Sequence, residues 1–384
     1  VPTRVRSYSK INLGLAIGAP RADGFHSLST LYQTIALHDL VTVSARRADA
    51  TRIALTSNDR RVPADGRNTA WKMMEKTLAE LELTAEVEVH IEKNLPIQGG
   101  MGAGSANAAA ALIGLERELG LDLGQDARLE LAAAVGSDVP LFLLGGAVLG
   151  SDRGQAVDAL PDVTLNRKSE IACVIALPSV GVSTPLAFRE WDRRFETRPD
   201  LHNPPIRDTL EELSRAYASV FRSRSGASGI LPDPSSEQSL QQQGGSLQNN
   251  PEKLQGLSRE QRHTSLVRDT KNNHRTQDES GIENDLAENS LLALVRTGIE
   301  NDFETVVFPQ YPLLREIKRQ LMGTATEGPA IYAALSGSGS ALFGLYRSHA
   351  DAVDAQQRLQ HVGVEALVTT TLPRARYWSE MFAE

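Results

Sequence analysis

Pro96-Ile97-Gln98-Gly99-Gly100-Met101-Gly102-Ala103-Gly104-Ser105-Ala106-Asn107 lies between an alternating apolar stretch and an alanine-rich run, and its reading decides the fold. Four of the six residues from 99 to 104 are glycine. Glycine tolerates positive φ and lets backbone N–H groups approach an anion closely. The first turn of a following helix aims unpaired N–H groups and the positive end of its dipole at the same point. Residues 106–112 supply that helix, and Gly120 can end it. A strand over 86–92, with Val87, Val89 and Ile91 on one face, leads directly into the loop. The succession of strand, glycine loop and helix predicts a phosphate cradle. A tight turn with no ligand is the alternative, and the rest of the chain has to decide between them.

Before the strand, Asn68 is placed to cap a helix over 69–83, whose Trp71, Met74, Leu78 and Leu81 recur at helical spacing as a core stripe. Residues 4–17, 40–45 and 52–56 read as strands, giving a β-rich N-terminal layer. After the loop, a helix over 126–135 stops at Gly136, and the turn Gly136-Ser137-Asp138-Val139-Pro140 opens an apolar run that ends at residue 149. The pattern restarts with a strand over 171–177, which places a soft boundary near 150–165. Helical patterns at 288–297 and 312–321, then strands near 331–335 and 341–346, make the second half α+β. Between 222 and 281 Ser, Gln, Asn and Gly dominate, as in Gln241-Gln242-Gln243-Gly244-Gly245. Apolar residues there are too sparse to offset the entropy of ordering, which predicts a mobile surface insertion, with a functional lid as the competing reading.

At 384 residues the chain can hold two sizeable cores, and 41% hydrophobic with 23% charged residues is ordinary for a soluble globular protein. A net charge of −8 argues against a nucleic-acid binder, which needs a basic stripe to displace counterions. The single cysteine, Cys173, sits in an apolar run and reads as a buried strand residue; with no disulfide possible within the chain, a cytoplasmic setting is expected. The start of the chain has no signal-peptide core, and the run over 139–149 is too short to span a bilayer, so no membrane partner is expected.

Neither Gly-x-x-x-x-Gly-Lys-Ser/Thr nor Gly-x-Gly-x-x-Gly occurs, so a P-loop and a dinucleotide fingerprint are excluded as accounts of the glycines. Four motifs in order are left: Lys10-Ile11-Asn12-Leu13-Gly14-Leu15, the loop at 96–107, Gly136-Ser137-Asp138-Val139-Pro140, and Leu335-Ser336-Gly337-Ser338-Gly339-Ser340-Ala341. Together they resemble the small-molecule kinases of the galactokinase, homoserine kinase, mevalonate kinase and phosphomevalonate kinase (GHMP) superfamily. The likeness covers nearly the whole chain outside 222–281. It implies an α+β, two-domain GHMP-kinase fold. A ribosomal-protein-S5-like, ATP-binding N-terminal domain over 1–155 would pack on a C-terminal α+β domain over 156–384, with the site in the crevice between them.

Arg21-Ala22-Asp23-Gly24-Phe25-His26-Ser27-Leu28 and Ser183-Thr184-Pro185-Leu186-Ala187-Phe188 narrow the likeness to members whose alcohol substrate carries a cytidine diphosphate. There Phe25 and Phe188 would sandwich the cytosine and His26 would hydrogen-bond its edge, with Phe25 standing where the family usually has tyrosine. The resemblance implies Lys10 and Asp138 as catalytic residues. Phosphoryl transfer needs an aligned acceptor hydroxyl, a proton acceptor and compensation of charge on the equatorial oxygens. Asn12, Thr184, Gly337, Ser338 and Gly339 would bind substrate. ATP, carried as its Mg²⁺ complex, would lie along Lys93, Pro96, Gly99, Gly100, Gly102, Ala103, Gly104 and Ser105. Ala106 replaces a second loop serine, which shifts phosphate holding onto backbone amides, and no metal ligand is assigned. Two alternatives stay open at this point: a relative acting on another alcohol, and a non-catalytic nucleotide-binding protein of the same fold. Oligomeric state is not read from the sequence.

Overall fold

The computed structural model describes residues 1–97, 99–197 and 288–384. The insertion expected over 222–281 lies outside the described residues, as does Gln98 of the glycine loop. Two long antiparallel strands, β1 (Thr3–Pro20) and β2 (His26–Arg47), form the spine of a seven-stranded sheet. Their tip is a tight turn in which Phe25 N–H donates to Asp23 Oδ1 at 3.1 Å and Gly24 N–H donates to the Arg21 carbonyl at 3.0 Å. β2 pairs along its second half with β4 (Ala85–Glu92), which is parallel to β3 (Arg52–Ser57). Its first half pairs with β5 (Ala147–Ser151), which in turn pairs with β6 (Ala156–Ala159). Helices α1 (Thr69–Glu80), α2 (Ala103–Leu119) and α3 (Gly124–Val135) belong to this half. Asn68 caps α1 by accepting from Ala70 N–H at 2.9 Å, and Gly120 ends α2 with φ 63°.

The second half is a four-stranded antiparallel sheet, β10-β7-β9-β8, built from β7 (Ala172–Leu177), β8 (Tyr332–Leu335), β9 (Leu342–Tyr346) and β10 (Glu365–Thr370). Around it lie α4 (Thr184–Thr197), α5 (Ser290–Arg296), α6 (Glu304–Gln310), α7 (Pro312–Met322) and α8 (His349–His361). Cys173 is fully buried on β7, and burial pushes its thiol pKa up.

A division of the chain at 155/156 does not follow the sheets. It would part β5 from β6, which are hydrogen-bonded neighbours. The end of the chain also returns to the first half: α9 (Arg374–Ser379) puts Tyr377 into the first core, and β11 (Phe382–Ala383) pairs with β1. The halves share a core as well, with Ile11, Leu13, Leu31 and Ile35 of the first sheet in one cluster with Cys173, Ile175 and Phe343 of the second. This explains why β1 is buried on both faces in its middle, while its first residues alternate and its last two are exposed.

Candidate active site

Alternation along β1 sends Ile11 and Leu13 into the shared core and turns Lys10 and Asn12 to the opposite face. Register shifts between Tyr8 and Ser9 and between Asn12 and Gly14 bracket these two residues, as β-bulges that re-aim side chains do. Lys10 is only 2% exposed, so its ammonium needs partners. It donates to Asn12 Oδ1 at 2.7 Å and lies 3.3 Å from Asp138 Oδ2. Asn12 Nδ2 in turn donates to Thr30 Oγ1 at 2.8 Å, and the Thr30 hydroxyl donates to the Gly14 carbonyl at 2.9 Å. Tyr32, two residues along β2 from Thr30, donates its phenol to Asp138 Oδ1 at 3.0 Å. Burial, reinforced by the Asp138 charge, holds the Tyr32 phenol well above its usual pKa, so it stays a donor. Both carboxylate oxygens of Asp138 are therefore held, one by a cation and one by a hydroxyl. Asp138 sits in the turn before the single helical turn Pro140–Leu143 and keeps a third of its side chain in contact with solvent.

The glycine loop closes over this group. Gly102 has φ 68°, and a Cβ there would stand 2.9 Å from the Phe142 ring and 3.2 Å from Lys10 Cε, so the loop presses directly on the lysine stem. Gly100, at φ 73°, would put a Cβ 2.0 Å from the Ser336 carbonyl oxygen. That contact joins the loop to Ser336-Gly337-Ser338-Gly339 of the second half, and the Ser336 hydroxyl donates to the Gly100 carbonyl at 3.0 Å. Asn301 fixes this second loop by donating to the carbonyls of Leu335 and Gly337, each at 2.8 Å. Ser338 Oγ is 2.6 Å from Thr184 Oγ1 at the start of α4.

Two cavities meet at the glycine loop. The larger, about 590 Å³, is bordered by Lys10, Asn12, Asp138, Gly100, Gly102, Phe25, His26, Thr184, Phe188, Gly337 and Ser338. Residues nominated from six separate stretches of sequence thus border one cavity. The second, about 460 Å³, is bordered by Lys93, Pro96, Gly99, Ala103, Gly104 and Ser105, together with Arg61 and Arg67. Gly339, nominated with the substrate group, lies in the same turn but is not on the border of the larger cavity. The amides of Ala103, Gly104 and Ser105 open α2 with no side-chain cap, while Ala106 N–H is already used by the Gly102 carbonyl at 2.8 Å.

Several side chains differ in detail from the sequence expectation. Lys93 borders the second cavity, yet its ammonium is held by the fully buried Asp39 carboxylate. Asp39 also accepts from Asn94 N–H and Leu95 N–H at 2.8 Å and from Asn107 Nδ2 at 3.0 Å, which pins the strand end leading into the loop. Phe25 is 51% exposed at the cavity rim with the Arg153 guanidinium 4.8 Å from its ring centre. One face of Phe188 is covered by His26, the two rings stacking at 4.7 Å and 20°, and Phe303 meets Phe188 edge-on at 5.0 Å. A base lying on Phe188 therefore does not meet two free faces of that ring. His26 Nε2 lies 2.7 Å from Asp192 Oδ1. Sequence reading missed Thr30, Tyr32, Asp39, Arg153, Asp192 and Asn301. The available signal for Asp192 was its place four residues after Phe188 and eight after Thr184, on one helix face. Among the described residues no group of three or more His, Cys, Asp or Glu side chains could hold a metal ion, and no helix is long and apolar enough to cross a membrane.

Comparison with known proteins gives a consistent assignment. A family model described as "GHMP kinases N terminal domain" matches residues 68–146, and one described as "GHMP kinases C terminal" matches residues 278–365. Over 216 residues the chain is 42% identical to a Rhodococcus jostii (strain RHA1) protein named 4-diphosphocytidyl-2-C-methyl-D-erythritol kinase. That match covers 56% of this chain and 66% of the relative, just under two thirds of its length. A Streptomyces coelicolor protein of the same name is 38% identical over 219 residues, covering 56% of this chain and 71% of the relative. Among solved structures, a crystal structure of 4-(cytidine 5'-diphospho)-2C-methyl-D-erythritol kinase superposes with a TM-score of 0.57 at 22% identity, covering 96% of this chain and 98% of the other. A homoserine kinase from Cytophaga hutchinsonii does so with a TM-score of 0.56 at 15% identity, covering 97% and 95%. At these identities the structural likeness concerns the fold.

Proposed function

The chain belongs to the GHMP kinases, in the group of 4-diphosphocytidyl-2-C-methyl-D-erythritol kinases, and from that membership we propose that it transfers the γ-phosphoryl of ATP to the 2-hydroxyl of 4-diphosphocytidyl-2-C-methyl-D-erythritol. The product would be the 2-phosphate and ADP, a step in the non-mevalonate route to isoprenoid precursors. The observation that carries the reading is the Lys10–Asp138 pair, 3.3 Å apart, on the wall of a cavity that also holds the glycine loop and the aromatic residues.

In this reading ATP lies in the cavity bordered by Lys93, Pro96 and residues 99–105, with its phosphates against the loop and the uncapped start of α2. Amides fixed by the fold need no reorganisation as charge builds on the transferring group. Mg²⁺ enters as the ATP complex and supplies charge compensation on the phosphate oxygens. The acceptor hydroxyl sits against Asp138, which accepts its proton or holds it in line. Lys10 pairs with this carboxylate and offers positive charge to the oxygen that attacks, while Asn12, itself held by Thr30, holds the lysine. Tyr32 fixes the other carboxylate oxygen. Gly337, Ser338 and Thr184 face the diphosphate, and Phe25, His26 and Phe188 receive the base. The partners are then two small molecules, and the reaction suits a cytoplasmic enzyme.

The deciding experiment incubates the purified chain with ATP, Mg²⁺ and a panel of alcohols that includes the cytidyl substrate, homoserine and mevalonate, and follows ADP. Turnover of the cytidyl substrate far above that of the others is expected. ADP release only with another alcohol, or with none, would sink the reading.

A further inference from the structure

Helix α4 carries Thr184, Phe188 and Asp192 at four-residue intervals, so all three lie along one face, and all three border the larger cavity. Thr184 meets Ser338, while the other two share one partner: Phe188 stacks on His26, and Asp192 takes His26 Nε2 at 2.7 Å. The His26 side chain is 6% exposed, so its ring is held both face-on and edge-on and has little freedom to turn. An aspartate carboxylate accepts hydrogen bonds and does not donate them, so the proton in this contact belongs to His26 Nε2. A neutral imidazole held in this way has one ring nitrogen left for a ligand, Nδ1, and it is an acceptor.

We propose that Asp192 is a positioning residue that holds His26 as its Nε2–H tautomer, and that this sets the preference of the cavity for a cytosine-type base over a uracil-type base. The inference deepens the cytidyl-kinase reading above and rests on it. Cytosine carries an exocyclic amine, a donor, at the ring position where uracil carries a carbonyl oxygen, an acceptor. A lone pair at Nδ1 is satisfied by the amine and left facing another lone pair by the carbonyl. A site built to pair with one hydrogen-bonding group rejects the analogue that leaves its own polar atom unpaired, and does so more strongly than apolar packing can. Asp192 never touches the base in this account. It acts through the imidazole, as carboxylates that orient histidines elsewhere do.

Asp192→Leu separates this role from simple support of the helix. Leucine is close in size and a good helix former, but it offers no acceptor, so nothing holds the proton on Nε2 and the imidazole is free to carry it on Nδ1. The full chain labelled with ¹⁵N-histidine, with His26→Gln used to assign the resonance, gives the tautomer directly from two-bond ¹H–¹⁵N correlations. Kinetics with 4-diphosphocytidyl-2-C-methyl-D-erythritol and its uridyl counterpart give the base preference. For the wild-type chain the Nε2–H pattern and a strong cytidyl preference are expected. For Asp192→Leu the exclusive Nε2–H pattern is lost, KM for the cytidyl substrate rises about tenfold, and the uridyl-to-cytidyl KM ratio falls about tenfold, with kcat within about two-fold. Asp192→Glu, which keeps a carboxylate, restores the Nε2–H pattern and part of the preference. An Asp192→Leu chain with the wild-type tautomer or the wild-type KM ratio overturns the proposal. Should the wild-type chain turn over neither substrate, the kinase reading falls. Binding of cytidine diphosphate and uridine diphosphate to the two chains then decides the role of Asp192 by itself: equal selectivity in both overturns it.

Discussion

The two walls of the larger cavity are built in opposite ways. Lys10, Asn12, Thr30 and Tyr32 stand on paired strands, and Asp138 joins them from a turn whose next residue, Val139, is fully buried. Each of their polar groups is used by a neighbour within this set or by backbone. Phe25, His26 and Phe188 stand instead on a hairpin tip and a helix face, and Phe25 is half in solvent. Strand residues tied into a network have one geometry, which phosphoryl transfer requires because small misplacements of the acceptor lower the rate steeply. Of these rings only Phe25, half in solvent at the hairpin tip, is placed to move as a large nucleotide-bearing substrate enters and leaves. Changes on the first wall should therefore appear in kcat, and changes on the second in KM.

The strongest attack on this division is Asp138→Asn. It keeps the contact with the Tyr32 hydroxyl and removes the proton acceptor, so kcat should fall at least 10²-fold, roughly the lower range for loss of a general base, while ATP affinity stays near wild type. Steady-state kinetics with nucleotide titration by fluorescence would check it, and a kcat within a few-fold of wild type would remove Asp138 from the chemistry. Tyr32→Phe is milder, because it takes one donor from a carboxylate that solvent still reaches. A decrease in kcat of roughly 3- to 10-fold with unchanged KM is expected, the size of one ordinary net hydrogen bond, because solvent replaces part of the lost donor. A change confined to KM would place Tyr32 on the binding wall.

The same contrast governs what could be read from the sequence. The loop at 96–107 was legible because its conformation is local: glycines, an uncapped helix start and an alanine run make a pattern over a dozen residues. Cys173 and the Asn68 cap were legible for the same reason. The first half of β2 was not read as strand, because residues 30–35 are buried on both faces and the alternation that marks a half-exposed strand is missing. Thr30 and Tyr32 were lost with it. Asp39 looks in sequence like any surface carboxylate, and only the fold gathers four donors around it. Asp192 sits in Arg189-Glu190-Trp191-Asp192-Arg193-Arg194, which reads as a solvated helix face. The linear division at 155/156 departs from the sheets in two ways: it cuts between the locally paired β5 and β6, and the last strand returns to β1 over a long sequence distance, which no local pattern encodes.

On the binding wall, Phe25→Ala removes a half-exposed ring that lies against the Arg153 guanidinium. KM for the cytidyl substrate should rise roughly 3- to 10-fold, within the 0.5–1.5 kcal/mol scale of a single stacking contact, with kcat nearly unchanged. A comparable loss in kcat would mean that the rim also positions the reacting hydroxyl, and the division between the walls would fail.

The smallest effect concerns a carboxyl just behind the binding wall. Asp302 precedes Phe303, which borders the cavity, and its Oδ2 accepts from Ile17 N–H at 2.8 Å. Burial raises its pKa from 3.8 to about 6, with Glu300 adding to the rise and the Ile17 amide opposing it. The folded state thus binds this proton more tightly than the unfolded chain does. The resulting stabilisation is full below pH 3.8 and is lost as pH rises through about 6. Asp302→Asn keeps an acceptor for the Ile17 amide and removes the charge. Its melting temperature should match wild type near pH 4 and exceed it above pH 6.5 by a few degrees, because the roughly 2–4 °C per kcal/mol of a 150–250-residue domain shrinks in a longer chain. Because the catalytic wall has no contact with this carboxyl in the hydrogen bonds above, kcat at pH 7.5 should not move. A variant that loses kcat while gaining stability would show that the binding wall and the catalytic wall are mechanically coupled through β1, which contributes both Lys10 and Ile17.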